Sequence, residues 1–141
     1  MLKALAIISA AILLAAVPEP APGRVPQEAA PTASGQSPVK ATAESRARAK
    51  KLYGYDCAMC HGDSGNGKTD MAKDMQLTML DYTDRNALAG KSDKELFDII
   101  RAGKGKMPAE EADRAKNDDV WNLVLYIRGF SKGQAAADAA Q

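Results

Sequence analysis

Cys57, Ala58, Met59, Cys60 and His61 place two thiols three residues apart, with an imidazole directly after the second. Residues three apart on a helical turn face the same side, so both sulfurs can act on one object. Three chemistries use such a set. A C-x-x-C pair can cycle as a disulfide, but thioredoxin-like sites want βαβ surroundings, and this chain reads as all-helical. A structural zinc takes four Cys/His ligands, and the chain offers only these three, two of them adjacent. Covalent haem attachment needs this set: each sulfur adds to one vinyl group and the histidine becomes the proximal iron ligand. The pattern points to one covalently bound haem c (iron protoporphyrin IX) on Cys57, Cys60 and His61, with His61 on the metal.

His61 is the sole histidine. That excludes bis-histidine ligation within a monomer and a second haem of the usual kind. The remaining axial position falls to Met, Lys, another weak donor, water or nothing. Met107 is the expected ligand: it lies in Gly103-Lys104-Gly105-Lys106-Met107-Pro108, where glycines permit close backbone approach and proline stiffens the exit. A methionine is more often core filler. Met71, Met75 and Met79 also lie within chain reach of the same iron at about 3.3 Å per residue. Met59 sits inside the attachment motif on the wrong side. No catalytic residue is assigned.

Three helices are legible around these residues, and no strand pattern is evident. Thr42 can cap a first helix running to about Tyr53, with Gly54 as its stop. Ser92-Asp93-Lys94-Glu95 is a capping-box sequence for a second, which carries Leu96, Ile99 and Ile100 and stops at Gly103. Asn117, Asp118 and Asp119 open a third, where Val120, Leu123, Val124 and Ile127 recur at i, i+3, i+4 and i+7 and Gly129 closes. Between the first two lies a polar stretch, residues 61–90, with little regular signal. A loop that long inside a small domain is expected to wrap something.

The chain has 141 residues, and six of its seven prolines precede position 40. The globular domain is expected over residues 42–132, a size at which a cofactor, metal or disulfide usually has to supplement the core. Within it 16 Lys/Arg face 15 Asp/Glu. That balance argues against a nucleic-acid partner, which would call for a clear basic excess. Residues 1–17 read as an export signal, with Lys3 ahead of a run that is apolar apart from Ser9. The run is shorter than the about 20 residues of a membrane span. No tidy cleavage site follows it, so a cleaved signal peptide and an uncleaved N-terminal anchor both stand. No cysteine near the start offers a lipid anchor. Residues 18–41 are Pro/Ala-rich and read as a disordered linker with a reach of roughly 70 Å when extended; residues 133–141 read as a disordered Ala-rich tail.

Over residues 42–132 the chain resembles the class I monohaem cytochromes c of bacteria. The resemblance rests on Leu52-Tyr53 ahead of the motif, on His61-Gly62 followed by Gly65 and Gly67, and on the helix from Ser92 to Ile100. Met107-Pro108 and, in the last helix, Leu123 with Tyr126-Ile127-Arg128 complete it. It implies an all-α fold of three or more helices wrapped around the haem, His below and Met above, with Tyr53 and Tyr126 meeting where the first and last helices cross. Many relatives carry a proline in the loop that offers a carbonyl to the proximal histidine, and here that stretch is Met79-Leu80-Asp81-Tyr82. Tyr82, Arg85 and Arg101 are candidates to meet the propionates.

An iron closed by His and Met cannot readily bind substrate and changes by one electron with little movement. The expected function is therefore electron transfer, not catalysis: a monomeric carrier, periplasmic or otherwise exported, or anchored to the outer face of the cytoplasmic membrane through residues 1–17. Its partners would be a donor and an acceptor protein. The alternative is a haem subunit permanently docked on a periplasmic oxidoreductase or oxidase complex. A third reading, an open-site haem sensor or peroxidase, would require Met107 not to bind.

Overall fold

The computed structural model describes residues 35–133. The expected export segment, most of the expected linker and the tail after Gly133 lie outside the described residues. Among the described residues five helices follow one another: α1 (Ala43–Asp56), α2 (Ala58–His61), α3 (Asp70–Asp74), α4 (Asp93–Ala102) and α5 (Asn117–Phe130). No strand occurs among the described residues, only an isolated bridge between Lys104 and Met107. The all-α expectation holds. None of the described helices is long and apolar enough to cross a membrane.

Helix α1 starts at a reciprocal cap: Thr42 Oγ1 accepts from the Ser45 N–H and Ser45 Oγ accepts from the Thr42 N–H. It does not stop at Gly54 but runs two residues further. Glycine inside a helix costs roughly 1 kcal/mol against alanine. Burial of Tyr53 and the packing of Cys57 against the core outweigh that local preference. At the other end of the chain α5 likewise continues past Gly129, because Phe130 is buried against the rings of Tyr53 and Tyr126.

Helix α5 is the centre of the molecule. Its expected apolar stripe is present, and Trp121, Asn122, Tyr126 and Phe130 are buried as well. It is enclosed on more than one side: α1 crosses it and α4 packs against it. Tyr53 and Tyr126 do meet at the crossing, with ring centroids 5.4 Å apart. Asn122, the one buried polar residue among those described, is satisfied there, accepting from Ser45 Oγ (2.8 Å) and donating to the Asp118 carbonyl (2.7 Å). On the α4 side, Phe97 stacks on Trp121 at 4.3 Å. Each such aromatic contact adds about 0.5–1.5 kcal/mol beyond area burial.

Helix α4 has the expected capping box, with Glu95 Oε2 2.7 Å from the Ser92 N–H. The chain ahead of α1 is tied to the same end. The Gly35 carbonyl accepts from the Lys94 N–H, and the Ser37 N–H donates to Asp93. Asp93 also receives the Arg128 guanidinium, whose other nitrogens donate to the carbonyls of Leu88 and Lys91. Residues 62–92 make the long connection, and it is less irregular than its sequence reads. Thr69 caps the short helix α3, accepting from the Ala72 N–H, while its own hydroxyl donates to the Cys60 carbonyl.

Candidate haem-binding site

Cys57 ends α1, and α2 is the single turn that follows. The Cys57 carbonyl accepts from the His61 N–H at 2.9 Å, and the Ala58 carbonyl from the Gly62 N–H at 2.8 Å. The five motif residues are thus folded back on themselves, as the spacing requires. Ala58 points into the core, whereas Met59 is 60% exposed. Both cysteines are free and half-buried. Burial, with the Asp56 and Glu110 carboxylates adding to it, pushes the Cys57 thiol up to about 12. A redox-active C-x-x-C pair lowers its thiol instead, so this environment does not suit disulfide exchange. Among the described residues no group of three or more His, Cys, Asp or Glu side chains is placed to hold a metal ion.

The His61 ring lies parallel to Tyr82, centroids 5.0 Å apart and planes 16° from each other; Phe130 lies behind Tyr82 at 6.5 Å. Burial lowers the His61 pKa, so the imidazole is neutral at pH 7, as an iron ligand must be. Its Nδ1 is buried and finds no hydrogen-bond partner. The turn after it is pinned by Tyr53, whose buried hydroxyl donates to the Gly62 carbonyl at 2.8 Å. Burial raises the Tyr53 hydroxyl well above its ordinary pKa, keeping it a donor.

Met107 is half-buried against the core cluster. Its backbone closes a tight turn with Lys104, N–H to carbonyl both ways at 3.0 Å. The entrance to that turn needs glycine. Gly103 has φ +72°, and a Cβ there would stand 2.6 Å from the Met107 carbonyl oxygen and 2.9 Å from the Ala109 nitrogen. Arg101 holds the exit: it donates to the carbonyls of Glu110 (2.9 Å) and Ala115 (2.7 Å) and to Asn117 Oδ1 (2.9 Å). Its guanidinium, a propionate candidate on sequence, is engaged in holding this loop. The other sequence candidates differ in setting: Met71 and Met75 are more than a third exposed, and Met79 packs beside Gly67. Lys106, next to Met107, reaches across to the Met75 carbonyl at 2.8 Å.

Three supporting residues are not singled out as such by the sequence. Tyr82 beside His61 has no motif signature, Thr69 is recognisable only as an N-cap, and Glu110 shows only its charge. Its side chain is in fact 10% exposed, beside Asp56 and Arg114. The Arg114 guanidinium pairs with Asp56 and stands 3.8 Å from Glu110 Oε1, too far for a hydrogen bond, so that oxygen is left without one. Burial, then the Asp56 charge, raises the Glu110 pKa.

The donor set fits a haem: two free thiols and a neutral, half-buried imidazole on one turn, and a thioether on a loop braced at both ends. Comparison with known proteins agrees. Residues 44–127 match the family model described as "Cytochrome C oxidase, cbb3-type, subunit III". The cbb3-type cytochrome c oxidase subunit FixP of Bradyrhizobium diazoefficiens is 28% identical over 89 residues, covering 62% of this chain and 28% of that protein. The chain thus corresponds to little more than a quarter of this relative's length. Among solved structures, the KustC0563 c-type cytochrome aligns with a TM-score of 0.50 and 29% identity, covering 58% of this chain and 95% of that one.

Proposed function

We propose, for a chain that belongs to the family of cytochrome c oxidase, cbb3-type, subunit III, that haem c is attached through Cys57 and Cys60 and ligated by His61 and Met107 for one-electron transfer. The observation that carries this reading is the Cys57–His61 turn, which presents two free thiols with a half-buried neutral imidazole. Haem bound there supplies the ferric/ferrous couple. The protein's part is to hold and shield it. His61 and Met107 would hold the iron and leave no position for substrate, and the thioether would favour the ferrous state more than a stronger donor does. Tyr53 holds the turn carrying His61, while Gly103 and Arg101 hold the loop carrying Met107, so ligand positions need not change with the electron. Such a site carries electrons and does no bond chemistry of its own.

The domain is read as an exported carrier working outside the cytoplasmic membrane. A second reading, a haem domain staying docked on an oxidase, is favoured by the matched family and by the FixP relative. Intact-protein mass after export with the c-type maturation machinery tests the attachment. One haem retained through denaturation, and lost in the Cys57→Ala, Cys60→Ala variant, is expected; haem that washes out on denaturation would contradict it. Purification from native membranes and periplasm separates the two readings, since a free monomer supports the carrier and a stable oxidase complex the docked domain.

A further inference from the structure

We propose that residues 35–39 are a strap that closes the start of α4, so that the chain ahead of α1 is held by the domain and departs from it at Gly35, at the opposite end of α4 from the turn that carries Met107. The inference goes beyond the proposed haem chemistry and does not depend on how the iron is ligated.

The first amides of a helix have no acceptor within it. In α4 the Ser92 hydroxyl takes one of them, the Glu95 N–H at 3.2 Å. The Lys94 N–H is taken from outside, by the Gly35 carbonyl at 3.0 Å. The strap also donates in return: the Ser37 N–H meets Asp93 Oδ2 at 2.9 Å. This exchange of acceptor and donor is the one that Thr42 and Ser45 make within a single turn at the start of α1. Here it is made by segments 56 residues apart. The other oxygen of Asp93 receives Arg128 Nε. Their side chains are only 15% and 25% exposed. A single carboxylate therefore joins the strap, α4 and the last helix through charge-assisted bonds, the stronger kind.

Packing supports the same reading. Gly35, Ser37, Pro38 and Val39 are all partly buried, and Ser37 and Val39 share a groove with Ala89, Leu125 and Arg128. Gly35 permits the close approach. Its φ is +69°, and a Cβ there would stand 3.2 Å from Ser92 Cβ, so a side chain would be both strained and crowded. The position of the strap has a consequence for the whole molecule. Ten residues of helix separate the two ends of α4, a distance of about 15 Å. The strap closes one end, while Gly103 and the Met107 turn follow the other. The chain preceding Gly35 thus sets out away from that turn and leaves it clear for a redox partner.

The test is backbone NMR of the full chain, by heteronuclear NOE and amide exchange. In the wild type the Ser37 and Val39 amides should be as ordered as those of the helices, and the Lys94 amide should be protected. Gly35→Val should release the strap, dropping both NOE values to those of free chain and speeding exchange at Lys94 roughly tenfold. The Glu95 amide, held by Ser92, and the amides of α5 should keep their protection. Ser37→Pro, which removes the donor outright, should act in the same way. Free-chain NOE values at Ser37 and Val39 in the wild type would overturn the proposal. So would a Lys94 amide as well protected in both variants as in the wild type.

Discussion

The two sides of the candidate haem site are built by different means. The His61 side is helical and aromatic: the motif closes α1, Tyr53 holds the Gly62 carbonyl, and the rings of Tyr82 and Phe130 stand behind the imidazole. The Met107 side is a loop. It is shaped by one left-handed glycine and by a guanidinium that gathers carbonyls from residues far along the chain. The first kind of support is buried apolar area and should resist polar substitution nearby. The second consists of a few directional contacts and should fail when any one is removed. The difference suits the proposed site, in which one ligand would follow the two thiols directly and the other would come from 46 residues away.

The comparison breaks most completely at the tether. Without Cys57 and Cys60 the cofactor that completes so small a core is not held, and Cys57→Ala, Cys60→Ala should lose most native helicity by far-UV circular dichroism. Full helicity in that variant would mean that the aromatic side folds unaided. Next in size is Gly103→Val, which sets a side chain against the Met107 and Ala109 backbone at a φ that branched residues avoid. It should destabilise by about 2–3 kcal/mol in denaturant titration and weaken the ferric sulfur-to-iron band. Arg101→Gln should cost about 1–3 kcal/mol by stranding the carbonyls of Glu110 and Ala115. It should also open the iron to cyanide or carbon monoxide while leaving His61 ligation intact.

The smallest effect sharpens the picture between the two sides, at Glu110. Its carboxyl binds its proton more tightly in the folded protein than in the unfolded chain, through burial and the Asp56 charge. The folded state therefore holds more protons just above the ordinary carboxylate range. Stability at this site is full below that range and is lost as pH rises through the raised folded pKa. Glu110→Gln should remove this dependence and raise the melting temperature at pH 7 by a few degrees, the shift expected of about 0.5–1 kcal/mol in a domain this size. A lower melting temperature would mean that the Arg114 contact matters more than the burial.

Legibility in the sequence followed the same division. The candidate attachment turn stands out because its residues are five in a row, and α4 was readable because its capping box is local. The stops expected at Gly54 and Gly129 were overridden, since a glycine's local penalty is smaller than the gain from burying Tyr53 and Phe130. Helix α3 escaped notice because five residues carry too little periodicity, although Thr69 was a usable cap signal. The roles of Arg101, Glu110 and Tyr82 were hidden for a different reason: each depends on partners remote in sequence, and no spacing rule reaches them.

The account as a whole stands on His61 and Met107 closing one covalently held haem, and the optical spectrum of the protein exported with its maturation machinery tests that most directly. It should be low-spin and c-type when reduced, with the weak sulfur-to-iron band when oxidised, that band disappearing in Met107→Ala. A high-spin spectrum, or a colourless protein made alongside a control cytochrome that matures normally, would contradict it.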